Sequence, residues 1–149
     1  MLKPSVAFSA GGALAMLSWV ALSTSLFLPD PLRAAIWNGT TIAVPALLGL
    51  AYAILLMRGL RERTGGGFGS IAAVRQLFTS DAALAAGWLH YLAFDLFAGS
   101  WIAQQGLAGD VPRLVILPCL LLTFLAGPVG LLVFLVLRFA IAGRLGIPT

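Results

Sequence analysis

The stretch GWLHYLAFDLFAGSW, Gly87 to Trp101, decides the fold. It is apolar enough for a hydrocarbon environment, yet it holds His90 and Asp95 near its middle. Extended both ways, it becomes a run from Ala82 to Gln105 in which Asp95 is the only charged residue. Three further runs resemble it in length and polarity: Ser5 to Leu28, Ala34 to Met57 and Leu114 to Leu137. As helices, runs of this length measure about 36 Å, enough to cross a ~30 Å hydrocarbon core with some tilt. Four such segments cannot all be buried inside one another in a chain of 149 residues.

Composition agrees. The chain is 60% hydrophobic and 9% charged, whereas a soluble domain is about half apolar and a quarter charged. The expectation is an all-α integral membrane protein. Its single domain, 1–149, is a four-helix bundle with spans at about 5–28, 34–57, 82–105 and 114–137. The first apolar run is too long for a signal peptide and no convincing A-x-A site follows it, so it is read as a span. No Arg- and Ser-rich leader precedes it. With four spans, Lys3, Arg58, Arg61, Arg63, Arg75, Arg138 and Arg144 share one side, and Arg33 and Arg113 the other. That bias places both termini in the cytoplasm, in a multi-pass protein of the cell membrane, or of the inner membrane in a Gram-negative bacterium. It also explains the net charge of +4 without a nucleic-acid partner. The one cysteine, Cys119, lies within the fourth run and reads as a small apolar residue.

The connections carry little chemistry. Pro29-Asp30-Pro31 is a sharp stop between the first two spans. The segment from Arg58 to Asp81 begins basic and Gly-rich, then sets Ile71, Val74 and Phe78 at helical spacing, as in a short amphipathic surface helix. Asp81 is placed to cap the third span. GGGFGS lacks the lysine of a phosphate loop. No second His or Cys cluster supports a metal site, and no motif calls for a cofactor.

An intramembrane acid costs about 2.5–3.5 kcal/mol on insertion scales and marks a functional site by default. With His90 at 0°, Asp95 falls at about 140° on a helical wheel. Leu89, Leu92 and Leu96 occupy about 200–260°, the expected lipid face. The opposite arc holds Gly87, Tyr91, Phe94 and Ala98, with His90 and Asp95 on its flanks, facing the bundle interior. In the fourth run, Pro128 lacks the amide that would bond the carbonyl of Phe124, and Gly127 and Gly130 leave the backbone thinly covered. The kink and His90 share a depth. The expected site therefore joins His90 and Asp95 to a lining of Trp88, Tyr91, Phe94, Ala98, Gly127 and Pro128.

GWLHYLAFDLFAGSWI, followed by LPCLLLTFLAGPVGLLVFLVLR, resembles a small four-span membrane family. That family includes the plant neoxanthin-synthase-like proteins named for abscisic acid deficiency. The resemblance is strongest from Phe78 to Arg138; the first two spans match in layout more than in residues. It implies a cofactor-independent isomerase on a carotenoid or related isoprenoid lipid, opening an epoxide and forming an allene with no net redox change. His90 and Asp95 would act as catalytic acid and base. The alternative is a non-catalytic membrane protein that binds a lipid or a protein partner. Its polar pair would then be structural glue bonded to Ser18, Ser23, Asn38, Thr40 or Thr123. A transport path through four helices would require a homo-oligomer.

Overall fold

The computed structural model describes residues 2–62 and 64–143. Among them the chain is all-α, with no strand. The helices are α1 (Pro4–Ser25), α2 (Asp30–Arg61), α3 (Ile71–Leu77), α4 (Asp81–Ala108), α5 (Arg113–Ala126) and α6 (Pro128–Ala142). By length and composition α1, α2 and α4 are each able to cross a membrane.

Local chemistry sets the boundaries. Pro4 and Pro31 sit in the first turns of α1 and α2, where a missing amide leaves no bond unmade. Helix α2 runs unbroken through one π turn at Gly39–Ala43, just before Pro45. A proline ring clashes with the carbonyl four residues back, and the wider turn relieves that clash. Ser80, not Asp81, caps α4, its hydroxyl accepting the Ala83 amide at 3.2 Å. Asp81 is instead the first helical residue, where its charge suits the dipole. Ser70 caps α3 in the same way. A short helix is thus present where the sequence expects one, but its buried residue is Leu77, outside the expected stripe, and Ile71 is exposed.

Helix α4 is the axis of the molecule. Half of its most apolar window is buried (50%), against 33% for α1 and 17% for α2. Its arc of Leu89, Leu92 and Leu96 packs inward, at 0%, 7% and 0% exposure, while Phe94 and Phe97 face out. The wheel is thus turned by roughly half a revolution from the sequence expectation. The reason is that leucine gains nothing by choosing lipid over protein. Close packing decides, and α1 and α2 interlock with leucines and alanines: Leu89 fills the space beside Gly11, and the Trp19 ring lies on Gly99.

The fourth apolar run is not one span. Gly127 adopts φ 29° and ψ −90°, and the chain reverses there. Gly130 packs directly on the backbone and hydroxyl of Thr123. Phe134 reaches Ile116 and Gly106 and meets Trp101 edge-on at 5.9 Å. Arg138 comes beside Gly109. Helices α5 and α6 therefore form an antiparallel hairpin whose tip lies halfway down α4. A proline alone would bend the helix. Glycine before proline permits reversal, because that position is barred from ordinary helix and glycine tolerates positive φ.

The hairpin changes the topology. Leu2 lies at the Arg58 end of the bundle, where Arg58 donates to its carbonyl, and the last described residues lie at the Gly109 end. Arg138 therefore joins Arg33 and Arg113 rather than Arg58 and Arg75. The expected cytoplasmic carboxyl terminus itself, like Arg63 and Arg144, lies outside the described residues. The core divides to match. Ala7, Leu48, Leu55, Leu89 and Ala93 form a three-helix cluster toward the Arg58 end. Trp19, Leu96, Ile116, Leu120 and Phe134 form a second that includes the hairpin. Asp95 lies between them in sequence.

At the Arg58 end, Glu62 accepts a hydrogen bond from the Ser80 hydroxyl at 2.5 Å and another from Arg58 at 3.2 Å. The Ser80 bond, helped by Arg58, holds its carboxyl below the usual glutamate range. A lowered folded-state value gives a contribution that is complete at neutral pH and disappears as pH falls through that value. Amide protection in the 64–80 connection, relative to the unprotected chain at the same pH, is therefore expected to fall once acid protonates Glu62. Glu62→Gln should show no such acid step.

Candidate functional site

Asp95 stands fourteen residues after Asp81 and thirteen before Ala108, at the middle of α4. It is 9% exposed, and among the described residues its Oδ2 has no hydrogen-bond partner. Its carboxylate lies against the Gly127 backbone, where any Cβ would overlap it. Helix α6 begins at the next residue, so the positive end of its dipole meets the acid.

Tyr91, one turn earlier, completes the locus. Its hydroxyl donates to the Phe124 carbonyl at 3.3 Å, the very carbonyl that Pro128 leaves without an amide. It is also near enough to Asp95 to interact with the carboxylate. Trp88 stacks on Tyr91 at 5.4 Å and on Phe8 at 5.4 Å, forming an aromatic shelf below the hairpin tip. Trp19 meets Phe124 edge-on at 5.6 Å. Beside that contact an apolar groove of about 580 Å³ runs between α1 and α5, lined by Met16, Val20, Leu117, Pro118 and Leu121 among others.

His90 belongs to different surroundings. It is exposed on the outer side of α4, with Tyr52 of α2 at 5.3 Å and Phe94 at 4.6 Å between ring centres. The structure thus brings Asp95, Tyr91, Trp88, Gly127 and Pro128 to one locus, and puts His90 and Phe94 at another. Ala98 is half-buried, one turn beyond Phe94. The two polar residues do not share one slot, contrary to the sequence expectation. None of Ser18, Ser23, Asn38, Thr40 or Thr123 hydrogen-bonds either of them among the described residues. Ser18 and Thr123 instead return to carbonyls of their own helices.

Sequence reasoning missed Trp19, Tyr52 and the Thr123–Gly130 contact. A signal for the last was present: Gly127-Pro128-Val129-Gly130 is a turn sequence as much as a kink. Nothing in the sequence marks Tyr52, which needs the α2–α4 packing to be seen. Among the described residues no cluster of metal-ligating side chains exists.

No curated protein and no solved structure matches the chain. A family model described as ABA DEFICIENT 4-like matches residues 6–134, from the first turn of α1 into the second half of the hairpin, and so takes in both loci. Matched over that length, the chain belongs to the ABA DEFICIENT 4-like family.

Proposed function

We propose that this neoxanthin-synthase-like protein is a multi-pass membrane isomerase. It rearranges a carotenoid or related isoprenoid lipid by moving protons at Asp95 and Tyr91. The observation that carries the reading is the buried carboxylate oxygen with no hydrogen-bond partner, beside a phenol and at the tip of a half-depth hairpin. A carboxylate oxygen left unsatisfied in a dry interior is costly and marks a functional candidate by default.

The roles follow from chemistry. For an epoxide end group, the C–O bond breaks as the oxygen takes the Tyr91 proton. Asp95 removes a proton from the adjoining carbon, and the electron pair becomes the new C=C bond of the allene. The proton on Asp95 then returns to the phenolate, one turn away. Atoms and electrons balance, and neither oxidant nor cofactor is consumed. Asp95 and Tyr91 thus take the roles that sequence alone gave to His90 and Asp95. Basic residues are densest at Arg58, Arg61, Arg63 and Arg75, so that connection and the amino terminus are placed in the cytoplasm. The site then sits near mid-membrane of the cell membrane.

The test is expression in a host that accumulates an epoxy-carotenoid, with chromatography of the extracted pigments. An allenic isomer of unchanged mass is expected. Unchanged pigment with folded, membrane-inserted protein present would refute the isomerase. Tyr91→Phe keeps the ring stack and loses the proton donor, so turnover should fall about 10²-fold or more. A Tyr91→Phe protein of full activity would remove the phenol from the mechanism.

A further inference from the structure

We infer that the outer groove between α2 and α4 is a separate binding site for the hydroxyl-bearing end ring of an isoprenoid lipid, held by Tyr52 and His90. This rests on the reading of the ligand as an isoprenoid, but not on catalysis at Asp95. The groove measures about 320 Å³ and is lined by Pro45, Gly49, Tyr52, His90, Phe94 and Phe97 with Ala93. That is the lower end of the size range of small-molecule pockets. Tyr52 and His90 each lie nine residues from the Arg58 end of their helices, at Arg61 and Asp81. Both are therefore about 14 Å from those ends, within the stretch of helix that a ~30 Å hydrocarbon core covers.

Two facts point to an occupant with a polar group. Phenol and imidazole lie side by side, ring centres 5.3 Å apart, and among the described residues neither makes a hydrogen bond. An imidazole turned toward acyl chains at that depth is a polar group without a partner, and intramembrane polar side chains nearly always have one. A ring hydroxyl is both donor and acceptor, so it satisfies the phenol and the imidazole together. The walls suit a flat ring: Phe94 and Phe97 on one side, Pro45 and Gly49 on the other. Pro45 follows the π turn in α2, and such turns recur at functional sites.

Zeaxanthin and β-carotene differ only in their ring hydroxyls and serve as probes. Pigment retained per protein is titrated on the full chain in lipid nanodiscs. The wild type should hold zeaxanthin about fivefold more tightly than β-carotene, the effect of one or two net hydrogen bonds. Tyr52→Phe and His90→Leu should each bring that ratio toward one. A Cβ at Gly49 meets nothing within 4 Å, so Gly49→Leu projects into the groove without disturbing the fold. It should weaken both pigments at least about tenfold at unchanged melting temperature. Unchanged binding in Gly49→Leu, or a preserved ratio in the Tyr52→Phe, His90→Leu double variant, would overturn the site. Gly12→Ala, at neither locus and with nothing within 4 Å of the new Cβ, should leave these affinities untouched. Retention is read without turnover, so failure of the groove and failure of the isomerase are separate results.

Discussion

Asp95→Asn should abolish isomerisation, lowering turnover by about 10²–10⁴-fold, while the protein still inserts and melts close to the wild-type temperature. The carboxamide matches the carboxylate in size and shape. It keeps the contact with the Gly127 backbone and the place in the interior. What it lacks is an oxygen that accepts a proton from carbon. Because Oδ2 makes no hydrogen bond among the described residues, the substitution breaks none there, and little stability should be lost. A purely structural aspartate predicts the reverse: a lowered melting temperature and no reaction to lose. Turnover and melting measured on one detergent-purified sample separate the two.

Gly130→Ala should destabilise the protein by about 1–3 kcal/mol, the usual effect of overpacking a tight contact. The new methyl group would overlap the backbone nitrogen and hydroxyl of Thr123 in the facing helix. Backbone cannot rotate away as a flexible side chain does, so the two arms of the hairpin must separate. The sign of the effect is informative. In one continuous helix, Thr123 and Gly130 would be two turns apart, and alanine would stabilise by about 1 kcal/mol through helix propensity. Gly12 provides the control, since a Cβ there meets nothing within 4 Å. Gly12→Ala should be neutral or slightly stabilising. Thermal melts in one detergent, with the three proteins side by side, give the comparison.

The sequence made the long helices legible because hydrophobic length is a strong signal and the Pro29-Asp30-Pro31 stop is unmistakable. It also exposed the Phe124 carbonyl, since a proline always removes one amide, and Tyr91 proves to be the donor that takes it up. Two readings failed for physical reasons. Pro128 reads as a kink in the sequence, although the glycine before it permits reversal, and hydropathy is blind to the difference. The wheel of α4 was oriented by sending leucines to lipid. That sorting has no driving force in a membrane, where shape complementarity with Gly11, Gly99 and their neighbours sets the rotation. His90 and Asp95 were consequently assigned a common interior. Only the packing of α2 on one side and of the hairpin tip on the other tells them apart.

Everything said of Asp95 depends on the tip of the α5–α6 hairpin reaching it at half depth. The most direct test is the distance between spin labels at Leu114 and Phe139, both exposed, with buried Cys119 replaced by alanine. Arg138 lies beside Gly109, so the hairpin predicts a separation under about 20 Å, allowing for the few residues between. A single straight helix through Gly127 predicts about 38 Å for the same 25 residues. The long distance would remove the backbone turn from beside Asp95, and with it the site.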